Sequence, residues 1–173
     1  MARVLVVDDE RGLRLSLQAF LENDGYEVET AEDVPAALDV LEREQVDIVV
    51  SDIIMPGESG VQLLARIHER NGGIAVILLT GEPNVDTAAE AVRLGAFEYL
   101  SKPISKSALL ATVARAARAK AQHDENLRLA AENERYREDL ESLVEVRTSE
   151  LSVALRGTIS VLGQALERRD PYT

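Results

Sequence analysis

The chain has 173 residues, 46% of them hydrophobic and 3% aromatic, which predicts one domain of about 120 residues with an aliphatic core, plus an extension. The 31 acidic residues outnumber the 19 basic ones, and the net charge of −12 argues against a nucleic-acid-binding surface while permitting cation binding. Cysteine is absent, which excludes disulfides and thiolate metal sites. The sequence shows no signal peptide, and no apolar run approaches the roughly 20 residues of a membrane span. These features predict a cytoplasmic protein without membrane contact.

Short apolar runs alternate with segments of helical periodicity over the first two thirds of the chain. Strands are predicted at residues 3–7, 27–30, 46–51, 74–79 and 97–100. Helices are predicted between the strands, with Gly25 closing the first and Pro35 near the start of the second, and a fifth helix begins near Lys106. This alternation predicts an α/β fold with right-handed crossovers and a doubly wound parallel sheet of five strands.

Polar side chains follow the apolar part of four predicted strands. Asp8 and Asp9 follow the first strand, Asp52 the third, Thr80 the fourth and Lys102 the fifth. Because the carboxyl ends of parallel strands share one edge of the sheet, these side chains are expected in one cleft. Clustered carboxylates repel one another unless a cation joins them, and oxygen ligands suit Mg²⁺. Each residue alone fits an ordinary solvated loop, whereas the set matches the needs of phosphoryl transfer to a carboxylate.

Four motifs carry a resemblance to a known family: VLVVDDE, SDIIMPGESG, ILLTGE and FEYLSKP. In this order and spacing, residues 1 to about 120 resemble the receiver domain of two-component response regulators, which has a flavodoxin-like fold. The resemblance implies that Asp52 accepts a phosphoryl group from a sensor histidine kinase. It also implies a Mg²⁺ ion held by Asp8, Asp9, Asp52 and the backbone carbonyl of Ile54.

The resemblance further assigns the residues around the phosphoryl group. It implies that Thr80 and Lys102 contact this group, that Thr80 and Tyr99 form the switch, and that the Lys102-Pro103 peptide bond is cis. One departure concerns residues 58–59, where Glu-Ser stands in place of the apolar residue and aspartate of many receivers. This departure leaves the phosphoacceptor untouched and affects partner specificity.

The last receiver helix has no predicted end within the domain. Residues 105–167 contain no proline, and their first glycine is Gly157, which predicts one helix that leaves the receiver. A heptad register over its linker, residues 121–156, places these residues in a coiled-coil seam: Asn126, Leu129, Asn133, Tyr136, Leu140, Leu143 and Arg147. Asparagine at the first heptad position favours a parallel homodimer, and the spacing of later leucines indicates a stutter after Arg147. A solvated single helix and a disordered charged segment are the alternatives.

The tail, residues 157–173, is predicted to begin an output domain. Its sequence ISVLGQALERRDPYT resembles the opening helix of HD-GYP domains, which hydrolyse cyclic-di-GMP. The resemblance implies that this chain is the amino-terminal piece of a larger phosphodiesterase. The piece itself has no HD dyad and no GYP motif, so we expect no phosphodiesterase activity from it.

Other output types stay open at this point. The same coiled coil could control a kinase-like or protein-interaction domain, and His123 could be a phosphoacceptor in a phosphotransfer helix. A DNA-binding regulator is disfavoured because no basic recognition helix follows the receiver. An ATPase-coupled transcription activator would require a Walker motif, which this sequence lacks.

Overall fold

The computed structural model describes residues 2–70, 73–82 and 85–167, and within them the side chains of all residues except 85, 86 and 164–167. Five strands alternate with five helices over these residues, as the sequence predicts. The elements are β1 (Arg3–Val7), α1 (Arg11–Glu22), β2 (Glu27–Ala31), α2 (Val34–Arg43), β3 (Ile48–Asp52), α3 (Gly60–Arg70), β4 (Ala75–Thr80), α4 (Val85–Arg93), β5 (Glu98–Ser101) and α5 (Lys106–Glu167).

All five strands are parallel and lie in the order β2-β1-β3-β4-β5. The chain moves from β1 outward to β2 and then crosses back past β1 to β3, β4 and β5. This order confirms the predicted doubly wound sheet. The winding direction changes between β1 and β3, and in such sheets ligands bind beyond the carboxyl ends of the strands at this point.

Strands β3, β4 and β5 each end one residue later than the apolar pattern predicts. Asp52 still pairs with Leu79, and Thr80 still pairs with Ser101. The apolar pattern marks which residues are buried, whereas the ladder of backbone hydrogen bonds extends to the polar residue that follows. Asp52 and Thr80 are therefore strand residues, with a backbone held on the sheet.

The sheet has a core on each face because successive side chains of a strand point to opposite sides. In β1, Leu5 and Val7 lie in a core covered by α2, α3 and α4, while Val4 and Val6 lie in a core covered by α1 and α5. All four are fully buried, which explains why the central strands read as continuous apolar runs. Burying each such side chain contributes about 1.5–3 kcal/mol.

Helix α5 ends at Glu167, and the lack of an earlier helix end agrees with its sequence. Its first turns bury Leu109, Val113 and Ala116 against the sheet. The chain forms two compact units, Met1–Glu125 and Asn126–Thr173. In the second unit every side chain that the structure describes is exposed. None of the described helices combines the length and the apolar character that crossing a membrane requires.

Candidate functional site

The carboxyl edge of the sheet gathers Asp8, Asp52, Thr80 and Lys102, as the sequence predicts. Asp8, Asp52 and Thr80 are buried, and Lys102 is half-buried. Their backbones are held by neighbouring strands: the Lys102 amide donates to the Thr80 carbonyl at 2.6 Å, and the Asp8 amide donates to the Ala31 carbonyl at 3.2 Å. Hydrogen bonds to neighbouring strands therefore fix the backbone positions from which these side chains extend.

The Lys102 ammonium joins the two buried carboxylates. Its Nζ donates to Oδ2 of Asp52 at 2.8 Å and to Oδ2 of Asp8 at 2.9 Å. Burial by itself lowers the pKa of Lys102, but the hydrogen bonds and charges of Asp52 and Asp8 outweigh burial and raise this pKa above its ordinary value of 10.5. The ammonium is therefore charged at neutral pH. The sequence predicted both carboxylates as metal ligands and did not predict that Asp8 also pairs with Lys102.

The second oxygen of Asp52 lies in a different environment. Oδ1 is buried and has no hydrogen-bond partner among the described residues. Carboxylate oxygens of Asp8, Asp9 and Asp52 lie within 4.8 Å of one another, with Asp9 exposed to solvent. Leaving a buried charged acceptor unpaired costs free energy, so the site favours a cation or donor at this position.

The donor set fits a small divalent cation. Three carboxylates and one ammonium leave an excess of negative charge, and all the candidate ligand atoms are oxygens, which is what Mg²⁺ selects. Ile54 lies just beyond β3 in the loop toward α3, and the ligand role of its backbone carbonyl stays a prediction.

A glycine packs directly behind the Asp52 backbone. A Cβ added at Gly60 would overlap the Asp52 carbonyl oxygen and would lie 2.9 Å from Oγ of Ser51. The Gly60 amide donates to the Ile53 carbonyl at 3.0 Å, so the start of α3 lies close against the end of β3. Gly60 is the last residue of the SDIIMPGESG motif, and its close approach to Asp52 was not predicted from the sequence. The sequence feature that could have predicted this close approach is a glycine at the first position of the helix that follows β3.

The predicted switch residues make hydroxyl hydrogen bonds. Oγ1 of Thr80 donates to the Glu82 carbonyl and accepts from the Glu82 amide, both at 3.1 Å. The hydroxyl oxygens of Tyr99 and Thr87 lie 3.2 Å apart, which links β5 to α4. The sequence predicted Tyr99 but not its partner Thr87. The Lys102-Pro103 peptide bond is cis, as the family resemblance implies.

Comparison with known proteins gives a family and several relatives. The family model of the response regulator receiver domain matches residues 4–114, which is more than half of the chain. The response regulator protein FleR of Pseudomonas aeruginosa is 46% identical over 114 residues, covering 66% of this chain and 24% of FleR. The transcriptional regulatory protein FixJ of Bradyrhizobium diazoefficiens is 33% identical over 167 residues, covering 96% of this chain and 78% of FixJ. The chain thus spans only about a quarter of the length of FleR.

Solved structures show the same fold. The signal receiver domain of an HD domain-containing protein from Pseudomonas fluorescens Pf-5 matches with a TM-score of 0.68 and 34% identity, covering 70% of this chain and 98% of that one. The beryllofluoride-activated receiver domain dimer of NtrC4 matches with a TM-score of 0.67 and 38% identity, covering 69% of this chain and 99% of that one.

The close packing of Gly60 predicts a loss of stability in Gly60→Ala. Because the added Cβ would meet the Asp52 backbone, the free energy of unfolding should fall by about 1–3 kcal/mol, as in other overpacked sites. Urea denaturation followed by circular dichroism measures this change. The matched control is Gly12→Ala on α1, where nothing lies within 4 Å of the new Cβ and a gain of about 0.5–1 kcal/mol is expected. Equal stability of both variants would contradict the packing argument.

Proposed function

This chain belongs to the response regulator receiver domain family, and from that membership we propose that Asp52 accepts a phosphoryl group from a sensor histidine kinase in the presence of Mg²⁺. The observation that carries the proposal is the state of the Asp52 carboxylate. One of its oxygens is bonded to the Lys102 ammonium, and the other is buried and unpaired beside the carboxylates of Asp8 and Asp9.

The chemistry of the proposed transfer is a displacement at phosphorus. One oxygen of Asp52 attacks the phosphorus, the bond from phosphorus to the kinase histidine nitrogen breaks, and the electron pair returns to the imidazole. Lys102, already within hydrogen-bond distance of Asp52, neutralises charge on the phosphoryl oxygens. Mg²⁺, held by Asp8, Asp9, Asp52 and the carbonyl of Ile54, supplies further positive charge when bound.

The proposal predicts that acetyl phosphate and Mg²⁺ add one phosphoryl group to the chain and that Asp52→Asn abolishes this addition. Asparagine has nearly the same size and shape as aspartate, but its neutral amide lacks the negatively charged oxygen that attacks the phosphorus. Intact-mass spectrometry measures the product directly. Asp39→Asn, which makes the same change at an exposed position of α2, should be phosphorylated like the wild type. A phosphoryl increment that survives in Asp52→Asn would refute the assignment.

We extend the proposal to the switch formed by Thr80 and Tyr99. The Thr80 hydroxyl now donates to the Glu82 carbonyl, so reaching a phosphoryl oxygen requires that it leave this partner. Tyr99 is half-buried and bonded to Thr87 on α4, so a rearrangement at Thr80 would change a contact on the surface formed by α4 and β5. Phosphorylation then biases an equilibrium between two arrangements of this surface.

The proposed switch is tested with Thr80→Ala and Thr80→Ser. Thr80→Ala should still be phosphorylated at Asp52, but its amide resonances near Tyr99 should move by much less than in the wild type, because no hydroxyl responds to the phosphoryl group. Thr80→Ser retains the hydroxyl and should show shifts like those of the wild type. Two-dimensional amide NMR before and after phosphorylation provides the comparison. Wild-type shifts in Thr80→Ala would exclude Thr80 from the switch.

The helical linker is proposed to dimerise as a parallel coiled coil over residues 121–156. Leu129, Tyr136, Leu140 and Leu143 lie in the predicted seam and are all exposed in the single chain. Charged pairs along the helix, such as Arg147 with Glu150 at 2.9 Å, contribute only a few tenths of a kcal/mol each. A helix with such weak internal stabilisation favours a partner. The NtrC4 receiver domain, solved as a dimer, supports self-association in a relative and makes the receiver surface the alternative dimer contact.

Dimerisation through the linker predicts that Leu140→Asp/Leu143→Asp is monomeric, because a charge at each seam position would be buried in the pair. Sedimentation velocity measures the mass, and phosphorylation of Asp52 should be unaffected. The matched control is Ala131→Asp/Ser142→Asp, which adds the same charge outside the seam and should remain dimeric. A monomeric wild type would refute the proposed dimer, and a seam variant that stays dimeric would place the dimer contact outside the linker.

Two output types have specific support. The tail resemblance is the basis for proposing an HD-GYP output, a cyclic-di-GMP phosphodiesterase that begins near residue 157. The Pseudomonas fluorescens receiver belongs to an HD domain-containing protein. FixJ, a transcriptional regulatory protein, supports a transcriptional output. The tail residues 168–173, which include the Asp-Pro-Tyr-Thr match, lie outside the described residues. An HD dyad and a GYP motif in the natural gene would indicate the first output, and a basic recognition helix would indicate the second.

A further inference from the structure

Arg14 on α1 binds the backbone of the acidic loop. Its Nη1 donates to the Asp8 carbonyl at 2.5 Å and to the Asp9 carbonyl at 3.3 Å. The same guanidinium lies 4.0 Å from the Glu32 carboxylate, and the Arg14 side chain is only 14% exposed. One planar cation therefore contacts the backbone carbonyls of two consecutive residues, Asp8 and Asp9. The side chains of both residues belong to the proposed cation site.

The rest of this turn is bonded as well. Oδ1 of Asp8 accepts from the Glu10 amide at 2.8 Å, and the Arg14 amide donates to the Glu10 carbonyl at 3.0 Å. Asp9 is the exposed member of the acidic cluster, and its backbone carbonyl accepts a hydrogen bond from Arg14. Without the guanidinium, the backbone carbonyls of Asp8 and Asp9 would lose the hydrogen bonds that tie them to Arg14 on α1.

We propose that Arg14 is a positioning residue for the cation site: it holds the backbone of Asp8 and Asp9 so that their carboxylates are preorganised for Mg²⁺. The inference rests on the proposed Mg²⁺-dependent function. Mg²⁺ demands near-ideal octahedral geometry, whereas Ca²⁺ accepts variable geometry. A residue that fixes ligand positions should therefore affect Mg²⁺ affinity more than Ca²⁺ affinity.

Charge and positioning predict opposite outcomes at this residue. A guanidinium near the carboxylates repels a divalent cation, so a role through charge alone means that removing Arg14 strengthens binding of both cations. A role through positioning means that removing Arg14 weakens binding, because the ligands must be ordered when the cation enters. The sign of the change therefore separates the two roles.

The experiment measures Mg²⁺ and Ca²⁺ affinities of the whole chain by calorimetry and by amide NMR titration. Arg14→Met keeps the length of the side chain and removes its donors, and should weaken Mg²⁺ binding about 10-fold or more, the range found for groups that orient metal ligands. Its affinity for Ca²⁺ should fall less, which lowers the preference for Mg²⁺. Arg14→Lys retains one donor group and the charge, and should give an intermediate value.

The control is Arg11→Met, which removes the same charge from an exposed position at the start of α1 and should leave both affinities within about twofold. Amide spectra without cation check that each variant is folded, and Arg14→Lys provides the test if Arg14→Met is not. If the wild type binds Mg²⁺ and Arg14→Met binds it equally tightly or more tightly, the positioning role is overturned and the proposed function is not. A wild type that binds no Mg²⁺ would overturn both this role and the proposed function.

Discussion

The pairing of one ammonium with two buried carboxylates sets the conditions for the rest of the site. Asp8 directly follows β1, Asp52 ends the neighbouring β3, and the two would repel each other without Lys102. Lys102 directly follows β5 and reaches both carboxylates across β4. Removing one partner from such a buried arrangement typically costs about 3–5 kcal/mol because an uncompensated charge remains. With Asp9 added, the cluster still holds more negative than positive charge. The same arrangement that stabilises the edge of the sheet therefore leaves it with an affinity for a cation.

The sequence predicted the elements well because strands buried on both faces leave continuous apolar runs. These runs locate the carboxyl ends of the strands to within one residue. The polar residues of the site follow directly from those ends. The contacts between them did not follow. Lys102 pairs with Asp8 across 94 positions, and Arg14 bonds to peptide carbonyls, which carry no sequence signal. The sequence shows that residue 60 is a glycine, but its contact with the Asp52 backbone could not be predicted because it depends on the path of the loop in the folded structure.

Helix α5 combines two kinds of sequence in one continuous element. Leu109, Val113 and Ala116 recur at spacings of one helical turn and complete a core of the first unit. Beyond them the apolar residues thin out, and those that remain, such as Leu140 and Leu143, are exposed in the single chain. Propensity and weak charge pairs alone make a long isolated helix marginal in water. In the proposed dimer, a second copy in register would cover these leucines and thereby stabilise the linker helix.

The two sides of the site are held by interactions of different strength. The β1 and β3 side is held by ion pairs and by close backbone packing at Gly60, whereas the Thr80 and Tyr99 side is held by neutral hydroxyl hydrogen bonds. A neutral hydrogen bond contributes about 0.5–1.5 kcal/mol net, and a hydrogen bond to a charged oxygen is roughly twice as strong. If Asp52 is phosphorylated as proposed, moving the Thr80 donor from the Glu82 carbonyl to a phosphoryl oxygen would gain on the order of 1 kcal/mol, which would change an equilibrium by roughly fivefold. In the proposed switch, Thr80 alone would thus shift a population without converting all of it. A complete response would require that the same rearrangement also alter contacts elsewhere, beginning with the one between Tyr99 and Thr87.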